Sequence, residues 1–114
     1  MKLSYEGIGQ WAATFAAGQV SEGEMVKVSG NGTVAACAAG DGFCGMVLSV
    51  SRGGDACAVA LGGIVTAGYS GTAPALGWTG LAADGSGGVK ALTTGRSYLV
   101  ADVDEAAKTV TFAL

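Results

Sequence analysis

Glycine punctuates this chain so often that no long helix has room to form. The 21 glycines among 114 residues recur as turn signals about every ten residues, and between them lie short runs rich in Val, Ala, Thr and Ile. Glycine costs up to about 1 kcal/mol inside a helix, while two-residue alternation bounded by Gly, Asn and Asp is the signature of strands and hairpins. From Ser21 onward the chain reads as eight or nine short strands. "EMVKVSG" alternates as a half-buried strand. Asn31-Gly32 predicts a type I′ turn into "TVAACAA". "FCGMVLSVS" is a continuous apolar strand with Gly45 as a possible bulge. "ACAVALGGIVTAG" is either two strands or one strand bent at Gly62-Gly63. "WTGLAAD", "GVKALTT", "SYLVADVD" and "TVTFAL" close the chain, with "DEAAK" as a loop or a single helical turn between the last two. The pattern predicts an all-β domain, a small Gly-rich β-barrel or sandwich, over residues 21–114.

Residues 1–20 differ. Tyr5, Ile8, Trp11 and Phe15 are spaced by three, three and four, which fits one helix face, yet Gly7 and Gly9 interrupt it. Two readings stay open. One is a short element packed on this chain's own core. The other is an extended N-terminal arm whose large side chains anchor it to a neighbouring subunit and whose loss leaves the β domain folded.

The stretch "DGSGGVKALTTG" asks whether a phosphate is cradled here. A phosphate-binding loop needs Lys directly after Gly, a hydroxyl after the Lys, and a helix to follow. Val89 separates Gly88 from Lys90, Ala91 stands where the hydroxyl belongs, and a β-branched strand follows. The stretch is therefore a hairpin turn at Asp84–Gly88.

Other chemistry is equally poor in materials. There is no His, which removes the commonest general base and transition-metal ligand. Cys37, Cys44 and Cys57 sit in small apolar surroundings and are read as reduced, buried thiols. Asp102, Asp104 and Glu105 cluster without the ladder of a calcium loop and read as a solvated turn; Asp41, Asp55 and Asp84 each adjoin a turn glycine. The six cations are spread singly and net charge is −3, so nucleic-acid binding is not expected. The uncharged run from Ala56 to Ala83 is broken by glycines and Pro74, so a membrane span is not expected. No catalytic, cofactor or metal site is expected, and the chain is read as a non-enzyme.

What remains is the shortage of charge. Charged residues make up 13% of the chain, against about 25% in typical soluble domains. Surfaces without charge mark contacts, so the chain is expected to work packed against copies of itself or a larger body.

The runs "VSEGEMVKVSGNGTVA", "GMVLSV", "GGIVTAGYSG", "LAADGSGGVK" and "GRSYLVADVDEAAKTVTFAL" carry a resemblance. Their order, and the closing YLV-x-x-VD-x-x-x-K-T-V-x-x-x-L pattern from Tyr98 to Leu114, resemble capsid decoration (cement) proteins of tailed phages. The resemblance spans Val20 to Leu114. It implies a β-tulip-like barrel or sandwich with an N-terminal arm, commonly assembled as a homotrimer and made in the bacterial host cytoplasm. Such proteins bind the major capsid protein on the outer surface of the virion, brace the head against packed DNA and need no cofactor. On this reading Tyr5, Ile8, Trp11 and Phe15 contact the capsid, and Tyr69 and Trp78 lie between subunits. The alternatives are a small β module that binds carbohydrate or a host surface, and a carrier domain modified at Lys90, whose usual Met-Lys setting is missing.

Overall fold

The computed structural model describes residues 10–114. Ten strands form: β1 (Ala12–Ala17), β2 (Met25–Gly30), β3 (Thr33–Ala36), β4 (Gly45–Val50), β5 (Ala56–Ala60), β6 (Ile64–Gly68), β7 (Gly77–Ala83), β8 (Val89–Ala91), β9 (Arg96–Asp104) and β10 (Thr109–Ala113). The expected all-β architecture is what the sequence builds. The strands divide into a closed barrel, ordered β1-β3-β2-β4-β5, and a five-stranded sheet, ordered β6-β10-β9-β7-β8. The chain leaves the barrel for the sheet at Leu61–Gly63, so "ACAVALGGIVTAG" is two strands, one in each body.

β1 closes the barrel. It runs antiparallel to β5, with Ala12 opposite Ala60 and Phe15 opposite Cys57, and parallel to β3, with Ala16 opposite Thr33. Of the two readings of residues 1–20, the arm is corrected for residues 12–17, where "AATFAA" alternates as a strand packed on this chain's own core. Ala13, Phe15 and Ala17 turn inward and Ala12, Thr14 and Ala16 outward. Phe15 packs among Val26, Val34, Val47, Cys57 and Val59, the barrel's own core.

A larger core lies between barrel and sheet. Phe43, Tyr98 and Phe112 form its centre, with Phe43 stacked on Tyr98 at 5.0 Å and both edge-on to Phe112 at 6.0 and 5.4 Å. Met25, Met46 and Ala60 reach it from the barrel; Val65, Leu81, Val89, Val100 and Val110 reach it from the sheet. Just past the end of β6, Tyr69 forms an isolated parallel bridge with Val89 of β8, the other outer strand, supported by the Ser70 N–H donating to the Val89 carbonyl at 3.0 Å. The sheet is thus curled nearly shut around its inner face.

Several turns differ from expectation. At Asn31-Gly32 only Gly32 has positive φ, so the turn is not type I′; a register shift between Val28 and Gly30 absorbs the twist instead. In β4 the irregularity falls between Val47 and Ser49, not at Gly45. Gly45 is needed for a different reason: a Cβ there would strike the Ala60 backbone carbonyl, so strands β4 and β5 approach too closely for any side chain. Met25 and Val26 are both buried while Val28 is exposed, because Met25 serves the shared core and Val26 the barrel.

Two outcomes are expected. Removing residues 1–17 deletes β1, and the barrel then has open edges at β3 and β5; the cooperative thermal transition seen for the whole chain should disappear, as monitored by circular dichroism. Lys108 closes the β9–β10 turn at φ 55°, a left-handed conformation that costs a non-glycine residue about 1 kcal/mol. Lys108→Gly should therefore raise stability to denaturant by about 0.5–1 kcal/mol.

Candidate functional site

The outer face of the sheet carries the residues that most need a partner. Register places Ile64 opposite Ala113, Ala113 opposite Leu99, and Leu99 opposite Trp78. Because Val65, Val100 and Phe112 point into the shared core, their neighbours in this row point away from it. The row is apolar from end to end and rises towards Trp78, which is 75% exposed, with Leu99 40% exposed beside it. Leu76, two residues before Trp78, is 67% exposed. The nearest carboxylate across the register is Asp102, opposite Thr111, where a shift between Thr111 and Phe112 marks a bulge. Thr66 and Thr111 occupy the same outer face, their hydroxyl oxygens 2.7 Å apart.

The residues singled out from sequence are dispersed. Tyr5 and Ile8 lie outside the described residues. Trp11 is 62% exposed and rests on Gly62, where a Cβ would overlap the indole. Beside it the Gln10 side-chain amide donates to the Ile64 carbonyl at 3.4 Å. Phe15 is in the barrel core and offers nothing to a neighbour. Tyr69, 8% exposed, is a core residue, which corrects its reading as a subunit contact. Its partner in that reading, Trp78, is the most exposed large hydrophobic side chain among the described residues. Leu76 and Leu99 were not singled out from sequence. Leu99 was legible as the outward member of the alternating "SYLV", since Tyr98 and Val100 are its buried neighbours. Leu76 falls in a loop and carried no such signal.

The hairpin reading of "DGSGG" holds. Asp84 Oδ1 accepts from the Ser86 N–H at 2.7 Å and the Gly88 N–H at 3.0 Å, and Oδ2 accepts from the Ser70 hydroxyl at 2.7 Å. The Asp84 carboxylate is spent on folding its own turn. This turn, the Ser21–Glu24 turn and the end of β6 border a cleft of about 420 Å³ whose carboxylates are Glu22, Glu24 and Asp84 and whose lining holds no cation. Asp104 likewise serves its own turn, accepting from the N–H groups of Ala106 and Ala107 at 3.1 Å. Among the described residues no three metal-ligating side chains come together.

The one ion pair among the described residues joins Lys27 to Asp41 at 2.6 Å, and Asp41 also accepts from the Ala38 N–H at 2.8 Å. The pair holds the Asp41 carboxyl below its ordinary range, chiefly through the Lys27 hydrogen bond, and raises Lys27. Nearby, burial pushes the Cys37 thiol up to about 11, with the Asp41 charge adding to it; burial also raises Cys44 and Cys57. All three thiols are unbridged; Cys57 is buried, but Cys37 and Cys44 are only half-buried, which corrects the reading of all three as buried, and their raised values keep them neutral.

Groups raised in the folded state stabilise it below their unfolded pKa and lose that contribution as pH rises through the folded value. An unfolded thiol ionises near 8.5, so stability should fall between about pH 8.5 and 11, with Lys27 acting in the same direction above about 10.4. The depressed Asp41 acts oppositely: its contribution is lost only as pH drops below about 4. Melting temperature should therefore be flat from about pH 5 to 8, and Cys37→Ala should flatten the alkaline decline.

No protein-family model and no curated protein matches the sequence.

Proposed function

We propose that the chain is a structural protein that works in an assembly, of the capsid decoration kind, lying on the outer surface of a phage head and bracing it. The observation that carries this reading is the neutral apolar row ending at Trp78. Indole and leucine surfaces of this size cost free energy in water at roughly 25 cal/mol per Å², and exposed patches of this kind mark protein contacts. The order of hairpins and the Tyr98–Leu114 pattern, which resemble decoration proteins, supply the kind of assembly. Trp11, with Tyr5 and Ile8 upstream, remains the reading for contact with the major capsid protein; Phe15 is withdrawn from it. The chain carries out no reaction on this reading, and many weak contacts on one shell add to a large stabilisation because each copy favours the assembled state.

A carbohydrate module is less well supported. Sugar sites set polar side chains beside an aromatic face, whereas Trp78 has Leu99 opposite it and the aromatic ring bordering the acidic cleft belongs to buried Tyr69.

The test is to band phage particles from the source on a density gradient and quantify this chain against the major capsid protein by mass spectrometry. A near-stoichiometric ratio on full heads is expected. Trp78→Asp should lower that ratio at least tenfold, the scale of an interface anchor, while leaving the melting temperature of the isolated protein unchanged. Absence from particles, with the protein abundant in the lysate, would retire the reading.

A further inference from the structure

We propose that Asn31 is a site of spontaneous deamidation, and that the product loosens the turn against which β1 closes the barrel. The proposal stands independently of the decoration reading, because it concerns the chemistry of the chain itself.

The reaction selects an asparagine or aspartate followed by glycine. The backbone nitrogen of the next residue must reach the side-chain carbonyl carbon, and only glycine has no Cβ to obstruct it. Three such pairs occur: Asn31-Gly32, Asp41-Gly42 and Asp84-Gly85. Asn31 is the only asparagine in the chain. The structure separates the three. Asp41 is held by the Lys27 ammonium and the Ala38 N–H. Asp84 is held by the Ser86 and Gly88 N–H groups and the Ser70 hydroxyl. A carboxylate fixed in this way does not swing onto its own backbone, and its negative charge makes it a poor electrophile. Asn31 has neither restraint. It and Gly32 are exposed. Among the described residues its side-chain amide meets no partner, and the Gly32 N–H donates to no acceptor. The amide is neutral and carries ammonia as a leaving group.

The step balances with water alone. The Gly32 nitrogen bonds to the Asn31 side-chain carbonyl carbon, the bond from that carbon to the side-chain nitrogen breaks, and ammonia leaves with the Gly32 amide proton. Water then opens the cyclic imide. Cleavage at the side-chain carbonyl leaves aspartate. Cleavage at the main-chain carbonyl leaves isoaspartate, whose backbone runs through an extra carbon. Nothing is oxidised or reduced.

Isoaspartate lengthens a turn with little slack. Gly30 and Thr33 are paired across it, so Asn31 and Gly32 alone make the connection. The Thr33 hydroxyl donates to the Asn31 carbonyl at 3.0 Å, and the Ala16 N–H donates to the Gly32 carbonyl at 2.9 Å. The second bond ties β1 to the β3 side of the barrel, where the ladder consists of Ala16 opposite Thr33 and Ala17 opposite Val34. The ladder to β5 runs the length of Ala12 to Ala16. An extra carbon after Asn31 displaces Gly32 from its place beside Ala16 and so pulls at the shorter of the two seams. The new carboxylate also adds to the net negative charge of the chain.

The test is to incubate the full-length chain at physiological temperature, from neutral to mildly alkaline pH. Peptide mass spectrometry reads the exchange of NH2 for OH, and labelling by an isoaspartyl methyltransferase reads the isomer. The mass gain should map to Asn31 alone. Its rate should rise with hydroxide concentration, because the attacking nitrogen must lose its proton. The aged protein should melt about 4 °C below the fresh one by circular dichroism, the scale of one lost backbone hydrogen bond in a domain of this size. Asn31→Gln, whose side chain would have to close a larger imide ring, should melt as the fresh parent does and lose both changes. Retention of the Asn31 amide throughout overturns the site. Faster isomerisation at Asp41 or Asp84 overturns the selection of Asn31. Deamidation at Asn31 with unchanged melting overturns its link to barrel closure, and so does an equal loss of stability in aged Asn31→Gln.

Discussion

The barrel exists because β1 joins two strands that would otherwise be its open edges. Its antiparallel ladder to β5 and its short parallel contact with β3 turn a four-stranded sheet into a closed surface. Closure removes exposed backbone donors and acceptors, which no side-chain decoration of an edge does as completely. It also creates the dry interior in which Phe15, Val26, Val34, Val47, Cys57 and Val59 are packed. The rest of the molecule is built against this body. The barrel side supplies Met25, Phe43, Met46 and Ala60 to the second core, and the curled sheet supplies Tyr98 and Phe112, which complete the aromatic cluster with Phe43. A chain of 114 residues with little charge thereby obtains two cores from one shared wall.

What the sequence made legible was local. Glycine spacing located nearly every turn, and Gly62-Gly63 marked the place where the chain changes bodies. Asp84 and Asp104 behaved as turn carboxylates, as Asp beside Gly or at a strand end is prone to do. What the sequence hid was pairing. Nothing in "WAATFAAG" announces partners more than forty residues away, since a strand's alternation reports which side is buried and not what it is buried against. The same limit explains Gly45. A bulge and a close backbone approach both select glycine, and only the position of Ala60 distinguishes them.

The candidate surface shows the limit from the other side. Trp78 was conspicuous by its size, but Tyr69 looked equally suited to a contact. They diverge because Tyr69 lies where the sheet curls shut against β8, whereas Trp78 lies opposite Leu99 on the outward face of β7. Exposure is thus set by curvature and strand parity, neither of which a single chain's composition reveals. The shortage of charge was informative in the aggregate and silent on location: it foretold an uncharged face, and the register of β6, β10, β9 and β7 determined which one.

The order of strands also bears on how the protein emerges from the ribosome. β1 precedes the other described strands, yet it has no antiparallel partner until Ala56–Ala60 has been synthesised, so the barrel closes only after β5 is out. β6 must then wait for β10, the last of the described strands. In that interval a finished barrel presents Met25, Phe43, Met46 and Ala60 to water, four residues destined for the shared core. Non-local pairing of this kind is slow and leaves sticky surface uncovered while it proceeds. A nascent chain in this state is the form most in need of chaperone shielding, and translation pauses after Ala60 would lengthen its exposure.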